Sequence, residues 1–173
     1  MASVAIATED AMLRFGRALA ASLRAGDLVL VSGPLGAGKT TLARGIGAGL
    51  GVRGPIASPT FIIARTHPSE VGGPDFVHVD AYRLGSLAEI DHLDLDTSLE
   101  DAVTLVEWGE GKAEALASSR LLVAIERERG VTEDHAGGDD SGGGGMRTLT
   151  IVGEGERWAG FDLAALADFE AAP

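Results

Sequence analysis

Gly33-Pro34-Leu35-Gly36-Ala37-Gly38-Lys39-Thr40 fits the pattern G-x-x-x-x-G-K-[ST]. The octapeptide follows an apolar stretch at 27–31 that has the pattern of a buried parallel strand, and it leads into residues 39–50, whose leucines and isoleucine recur at helical spacing. A strand, a glycine-rich loop and a helix in this order form a phosphate-binding loop. A glycine-rich turn without a ligand is the alternative, and it leaves the flanking strand and helix unexplained. The sequence therefore predicts that the chain binds a nucleoside triphosphate.

The residue types of this loop suit a polyphosphate. Glycines allow backbone conformations that turn consecutive N–H groups inward, and the helix that follows adds the positive end of its dipole. Lys39 is expected to reach the β- and γ-phosphates, and the Thr40 hydroxyl is expected to bind Mg²⁺. Further nucleotide contacts are predicted for Leu35, Gly36, Ala37, Gly38 and Thr41.

Predicted strands and helices alternate along the chain around the loop, which predicts an α/β fold of the P-loop NTPase type. We expect a three-layer sandwich with a mainly parallel central sheet and an antiparallel hairpin at one edge. A first helix is predicted to begin after Thr8 as its N-cap and to stop at Gly26. Residues 121–125 and 148–152 are predicted to form the antiparallel pair. A short helix is predicted for 162–169.

Two predicted strands, 76–80 and 103–107, end in the carboxylates Asp80 and Glu107. Ligands of open parallel sheets gather at the carboxyl ends of strands, so both side chains are candidates to bind Mg²⁺, directly or through water, and to orient the water that attacks the γ-phosphate. An acid at a strand end is otherwise a solvated turn residue or a helix cap. Two such endings beside a phosphate-binding loop favour the catalytic interpretation.

Other polar residues carry weaker signals. Arg127 and Arg129 are candidates to stabilise charge on the phosphates, although arginines that end an edge strand are more often solvated. The acidic stretch 89–96 fits an amphipathic surface segment better than a metal site. His78 lies inside a predicted strand, where a packed role is expected rather than a catalytic one.

Composition limits the possible functions. The chain has 173 residues, which suits a single domain, and a net charge of -12, which disfavours direct binding to RNA. It has no cysteine, so disulfides and thiolate metal sites are excluded. We expect a cytoplasmic protein because neither a signal peptide nor a membrane-spanning stretch is evident. The glycine-rich segment at about 132–146 is predicted to be a disordered linker.

Four ordered motifs resemble the TsaE family of bacterial P-loop ATPases, which are required to make threonylcarbamoyladenosine in tRNA. They are the phosphate-binding loop, Ser58-Pro59-Thr60-Phe61, His78-Val79-Asp80-Ala81-Tyr82-Arg83-Leu84 and Leu105-Val106-Glu107-Trp108. The resemblance implies that ATP and Mg²⁺ are the cofactors. It also implies that Lys39 and Thr40 take the phosphate and Mg²⁺ roles, that Glu107 is the second Mg²⁺ ligand, and that Asp80 is needed for nucleotide binding or hydrolysis.

The same resemblance implies roles for residues outside these four. Thr60 would sense the γ-phosphate from a switch-like loop, Trp108 would be functionally important, and Glu9 would lie near the adenine. A buried anchor is the alternative for Trp108. The chain departs from the family where Gly109 replaces the usual proline after the Glu-Trp pair, which leaves a nucleotide contact from Glu110 open.

TsaE-like proteins act with TsaB and TsaD, the pair that transfers the threonylcarbamoyl group to adenosine in tRNA. The resemblance thus implies an ATPase that supports repeated cycles of that pair, hydrolyses ATP slowly when alone, and meets tRNA only through its partners. A small-molecule kinase and a nucleotide-gated adaptor with incidental hydrolysis are the rival functions. A GTPase is disfavoured because the chain lacks an Asn-Lys-x-Asp element.

Overall fold

The computed structural model describes residues 1–57, 64–82, 99–127 and 145–167. Its elements follow the chain in the order β1 (Ala2–Ile6), α1 (Glu9–Ala20), β2 (Leu28–Ser32), α2 (Lys39–Leu50), β3 (Ala64–His67), β4 (Asp75–Asp80), β5 (Ala102–Glu107), β6 (Arg120–Arg127), β7 (Arg147–Glu154) and α3 (Ala164–Ala167). Two 3₁₀ turns, Glu114–Leu116 and Glu156–Trp158, lie before β6 and after β7.

All seven strands form one sheet in the order β1-β7-β6-β2-β5-β4-β3. The central strands β6, β2, β5 and β4 are parallel, whereas β3 pairs with β4 and β7 pairs with β6 in the antiparallel sense. This arrangement confirms the predicted α/β fold with its mainly parallel centre. The antiparallel pair β6–β7 is present, and β1, which was not predicted as a strand, adds beyond β7 as the outermost strand.

Hydrophobic cores cover both faces of the sheet. The larger one joins α1 and α2 to strands β1, β2, β6 and β7, with Phe15, Leu42 and Ile125 fully buried. The smaller one lies on the opposite face, where Leu30 and Val79 pack with Ala113 and neighbouring side chains. The loop after β2 is therefore held on a strand that is buried on both faces.

Helix α1 begins as the sequence predicts and ends earlier. The Thr8 hydroxyl accepts a hydrogen bond from the Ala11 amide at 3.0 Å, which is a regular N-cap. The helix ends at Ala20, so the prediction that it runs to Gly26 is wrong. The Ala21 amide already bonds back to the Ala18 and Leu19 carbonyls, and Leu23 is buried without continuing the helix.

Glycines let α1 and α2 approach closely. A Cβ on Gly16 would lie 2.7 Å from the Leu42 carbonyl oxygen, and one on Gly45 would lie 2.5 Å from that of Leu13. A mid-helix glycine costs up to about 1 kcal/mol against alanine, and the packing of the two helices offsets that cost. The helix that carries Lys39 and Thr40 is thereby fixed against α1.

Candidate nucleotide-binding site

The loop between β2 and α2 is shaped by glycines at two positions. Gly38, the N-cap of α2, has a φ of 105°, a left-handed conformation that side chains rarely adopt. At Gly33 a Cβ would lie 2.5 Å from the Ile125 carbonyl oxygen, so the loop approaches β6 too closely for any side chain. Between them, Leu35 is 89% exposed and Ala37 is fully buried. The loop is thus anchored on the sheet while its tip faces outward.

Lys39 is the first residue of α2 and is only 5% exposed. Its Nζ donates hydrogen bonds to the Gly33 and Pro34 carbonyl oxygens at 2.8 and 2.9 Å. Burial lowers the pKa of Lys39, and the negative charges of Glu107 and Asp80 partly oppose that shift. The ammonium is therefore poorly solvated and lies within the field of both carboxylates.

Thr40 and Glu107 lie next to each other, as the P-loop interpretation requires. The Thr40 hydroxyl donates to Oε1 of Glu107 at 2.9 Å, across 67 residues of sequence. Glu107 ends β5 and is 2% exposed, and the same Oε1 atom lies 2.8 Å from Nε2 of His78. Because the hydroxyl proton points to the carboxylate, the lone pairs of Thr40 Oγ1 remain available. Hydroxyl and carboxylate oxygens are the ligands that Mg²⁺ prefers, so this pair fits the ion.

Asp80 ends β4 directly opposite Glu107 in the parallel register, so the two predicted strand-end carboxylates do lie side by side. Its Oδ1 accepts a hydrogen bond from the Tyr82 amide at 3.0 Å, and this bond orients the carboxylate in the turn that follows the strand. Within the described ranges there is no cluster of three or more His, Asp or Glu side chains arranged as a complete metal site. Phosphate or water oxygens would have to complete a Mg²⁺ shell here.

Trp108 is the one described residue other than glycine with a positive φ, at 60°. Its amide donates to the Val31 carbonyl oxygen at 3.2 Å, and its ring centroid lies 3.8 Å from Nζ of Lys39. The Tyr82 ring packs against it edge-on at 5.2 Å. Conformations of this kind cost about 1–3 kcal/mol and persist where the surroundings impose them. The turn after β5 thus places an indole over the loop lysine.

On the other side of the loop, Glu9 approaches α2. Its Oε1 accepts from the Thr41 hydroxyl at 3.4 Å and lies 3.6 Å from a guanidinium nitrogen of Arg44. Arg147, the first residue of β7, has its Nε 3.9 Å from where a Cβ of Gly38 would stand. Sequence reasoning did not identify Arg147, because its place beside the loop depends on the antiparallel return of β7.

Some of the other predicted site residues lie within the described ranges, and others lie outside them. Arg127 lies exposed at the end of β6, and Glu110 lines a cavity of about 480 Å³ with residues 32–34, Tyr82, Trp108 and Lys112. A Cβ on Gly109 would lie 2.8 Å from Cγ1 of Val106 and 3.0 Å from Cβ of Ala113, so a side chain at this position would require its neighbours to shift. Thr60 and its loop, Arg129, the acidic stretch 89–96 and nearly all of the predicted linker lie outside the described residues.

Comparison with known proteins agrees with this geometry. The family model described as "Threonylcarbamoyl adenosine biosynthesis protein TsaE" matches residues 6–135. The chain belongs to the TsaE family. It is 57% identical over 157 residues to a Streptomyces coelicolor protein named tRNA threonylcarbamoyladenosine biosynthesis protein TsaE, covering 90% of this chain and 99% of the relative. A Haemophilus influenzae protein of the same name is 35% identical over 127 residues, covering 70% of this chain and 79% of that relative.

A solved structure shows the same fold. The crystal structure of Bacillus subtilis YdiB superposes with a TM-score of 0.65 at 28% identity, covering 91% of this chain and 88% of YdiB. The TsaE resemblance and the P-loop NTPase fold predicted from sequence are both confirmed. Among the described helices, none is long and apolar enough to cross a membrane.

Proposed function

We propose that this TsaE-family chain is a Mg²⁺-dependent ATPase that acts with TsaB and TsaD in the threonylcarbamoyladenosine modification of tRNA. The observation that carries the proposal is the hydrogen bond between Thr40 and Glu107 beside the buried ammonium of Lys39. It joins the loop that would hold the phosphates to the strand-end carboxylate that would hold the metal. The family match supports the pathway.

Binding rests chiefly on the loop backbone. The N–H groups near Gly36 and Gly38 and the N-terminus of α2 would bind the β- and γ-phosphates. Lys39 would exchange its two carbonyl bonds for phosphate oxygens, which accept more strongly because they are charged. Glu9, Thr41 and Arg147 lie on the side of the loop where the nucleoside would follow.

Thr40 and Glu107 would hold Mg²⁺, which when bound neutralises charge on the phosphates. Glu107 and Asp80 lie opposite each other, and either carboxylate can accept a hydrogen bond from the attacking water and orient it. Trp108 and Tyr82 would cover the γ-phosphate side and limit access of other water molecules. Each of these residues lies at or near the carboxyl ends of the central parallel strands.

The net charge of -12 fits a division of labour in which the partners hold the tRNA. Because TsaB and TsaD are proposed to complete the site, we expect slow turnover by the isolated chain. The first test is phosphate release from Mg·ATP by the purified chain, alone and with TsaB and TsaD from the same organism. We expect stimulation by the pair, and no stimulation for Lys39→Ala.

Three other outcomes would change the proposal. If the three proteins form a complex and ATP binds but no phosphate is released, the chain is a nucleotide-gated adaptor. If Glu107→Ala and Asp80→Ala chains that still bind ATP and the partners support normal tRNA modification in cells, hydrolysis is incidental to the function. Transfer of the γ-phosphate to a small alcohol, with no free phosphate, would indicate a kinase.

A further inference from the structure

His78 is a buried polar residue that the proposed ATPase reaction does not yet use. It lies inside β4, is fully buried, and its Nε2 lies 2.8 Å from Oε1 of Glu107. Its Nδ1 has no hydrogen-bond partner among the described residues. The Phe76 ring stacks beside it at 6.1 Å with an angle of 20° between the planes, so the imidazole plane is fixed on one side.

The contact with Glu107 determines which nitrogen carries the proton. An ionised carboxylate only accepts hydrogen bonds, so Nε2 is the donor in this contact, and in a neutral imidazole Nδ1 is then the unpaired acceptor. Packing alone gives no reason for this arrangement, because an apolar side chain of similar size would fill the space without burying an unpaired nitrogen. The imidazole is better explained by the hydrogen bond that it donates.

Two donors converge on a single oxygen of Glu107. Oε1 accepts from the Thr40 hydroxyl at 2.9 Å and from His78 Nε2 at 2.8 Å, whereas neither group contacts Oε2. Rotation of the carboxylate about its last bond would break both hydrogen bonds. The two oxygens are thereby given different tasks, since Oε1 is held by the protein and Oε2 is left for a metal ion or its water.

We infer that His78 is a positioning residue that fixes the orientation of the Glu107 carboxylate, so that Oε1 accepts the Thr40 hydrogen bond and Oε2 faces the Mg²⁺ side. The inference rests on the proposed Mg²⁺-dependent nucleotide binding. His78 is fully buried beneath Glu107, so it acts through that residue and not on the nucleotide. Groups that orient metal ligands in this way typically contribute about 10- to 100-fold in metal affinity or activity.

Three substitutions separate this role from packing. His78→Gln places an amide nitrogen close to the position of Nε2 and retains the donor. His78→Asn has the same amide chemistry but is one carbon shorter and falls short of Glu107, which makes it the matched control. His78→Leu fills the space without any donor.

The main readout is ATP affinity measured by calorimetry, once with Mg²⁺ and once with EDTA. The dissociation constant in EDTA divided by the dissociation constant with Mg²⁺ isolates the metal-dependent part of binding. We expect that ratio to fall about tenfold in His78→Asn and His78→Leu, with affinity in EDTA unchanged, and to be retained in His78→Gln. The Mg²⁺ concentration for half-maximal phosphate release should rise by a similar factor. An unchanged ratio in folded His78→Leu would overturn the inference.

A measurement on the unsubstituted protein covers the case in which the variants do not fold. With ¹⁵N-labelled histidine, His78 should show a proton on Nε2 that exchanges slowly with water, and Glu107→Ala should abolish that protection. A proton on Nδ1 instead would exclude the positioning role. The proposed function fails separately, if the wild-type chain binds no Mg·ATP or binds ATP equally well with and without Mg²⁺.

Discussion

A buried charge lies just before the central strand β2, and another lies at the end of the loop that follows it, but the two differ in how many charged partners they have. Before the strand, both oxygens of Asp27 are engaged by the Arg157 guanidinium at 2.9 Å, and Oδ2 also accepts from the Arg24 amide. After the strand, the ammonium of Lys39 contacts only carbonyl oxygens and an indole ring, and no described carboxylate lies within ion-pair distance.

The fully partnered charge of Asp27 stabilises the fold, whereas the incompletely partnered charge of Lys39 is suited to binding a ligand. Arg157 also donates to the Ser22 carbonyl oxygen and lies 4.2 Å from the Trp158 ring centroid, so few of its donors are left for any other group. Lys39 remains under-solvated, which is why its pKa is lowered. A phosphate bound in the loop would give the ammonium of Lys39 a negatively charged hydrogen-bond partner, which no described carboxylate provides.

The largest effect is expected at the fully partnered end. Arg157→Met leaves Asp27, which is 3% exposed, as an uncompensated buried carboxylate. Removing one partner of such a pair costs about 3–5 kcal/mol, which urea unfolding would measure. The double variant Asp27→Leu with Arg157→Met should recover much of that loss. Nucleotide binding by the folded fraction should be unchanged, and a loss of binding there would contradict the division between the two ends.

Substitution at the other end should reverse the pattern. Lys39→Met is expected to lower ATP hydrolysis by about 10²- to 10³-fold, comparable to the removal of one preorganised charge-stabilising group. Because the pKa of Lys39 is lowered on folding, the unfolded chain holds this proton more tightly. The favourable contribution of the side chain is present above its unfolded pKa and is lost as pH falls, so near pH 7 its burial is a cost.

Stability therefore provides the second readout for Lys39→Met. The free energy of unfolding without nucleotide should be equal to or higher than that of the wild type, whereas stabilisation by added Mg·ATP should disappear. A clear loss of stability in the nucleotide-free variant would show that Lys39 also holds the fold, and the contrast with Asp27 would not stand.

The smallest effect is expected at a partly partnered group far from the loop. His67 is buried at the end of β3, its Nδ1 lies 3.0 Å from the Arg53 carbonyl oxygen, and its Nε2 has no partner among the described residues. Burial lowers the pKa of His67, while the bond to Arg53 opposes the shift. Its contribution to stability is present above the unfolded pKa of about 6.5 and is lost as pH falls.

His67→Asn keeps a donor near the Arg53 carbonyl oxygen and removes the titration. Urea unfolding at pH 8 and at pH 5.5 should show a smaller loss for the variant than for the wild type, and hydrolysis should be unaffected. Equal losses would mean that this imidazole does not contribute to acid sensitivity. Unaffected hydrolysis would show that incomplete partnering does not by itself mark a functional group, whereas impaired hydrolysis would contradict the assignment of His67 to a purely structural role.

The sequence predicts the phosphate-binding loop, the cap of α1 and the strands that end in Asp80 and Glu107, because each depends on residues adjacent in the chain. Strand β1 was missed because its sequence, with Val4 and Ile6 separated by the small apolar Ala5, alternates only weakly, although in the structure its buried and exposed residues alternate strictly. Strand β3 has no such signal, because its middle residues are polar and exposed. Pairing of Asp27 with Arg157 spans 130 residues and leaves no local trace.

The position of His78 close to Glu107 could have been predicted from the sequence. Side chains two apart on a strand share a face, so His78 lies on the face of Asp80, which the register pairs with Glu107. The expectation that His78 is packed is consistent with its full burial. Its bond to one particular oxygen of Glu107 requires coordinates, as does the approach of Arg147 to the loop.

The pairing of β1 with β7 also bears on how the chain reaches its native state during synthesis. Ala2 lies opposite Ile151, so β1 is synthesised long before β7, the strand with which it pairs. At roughly 5–20 residues per second that interval is on the order of ten seconds. Until β7 is made, β1 has no strand to pair with, and β6 is an unpaired edge strand at which other chains can add. During synthesis, this topology therefore leaves a strand edge of the sheet unpaired until β7 has been made.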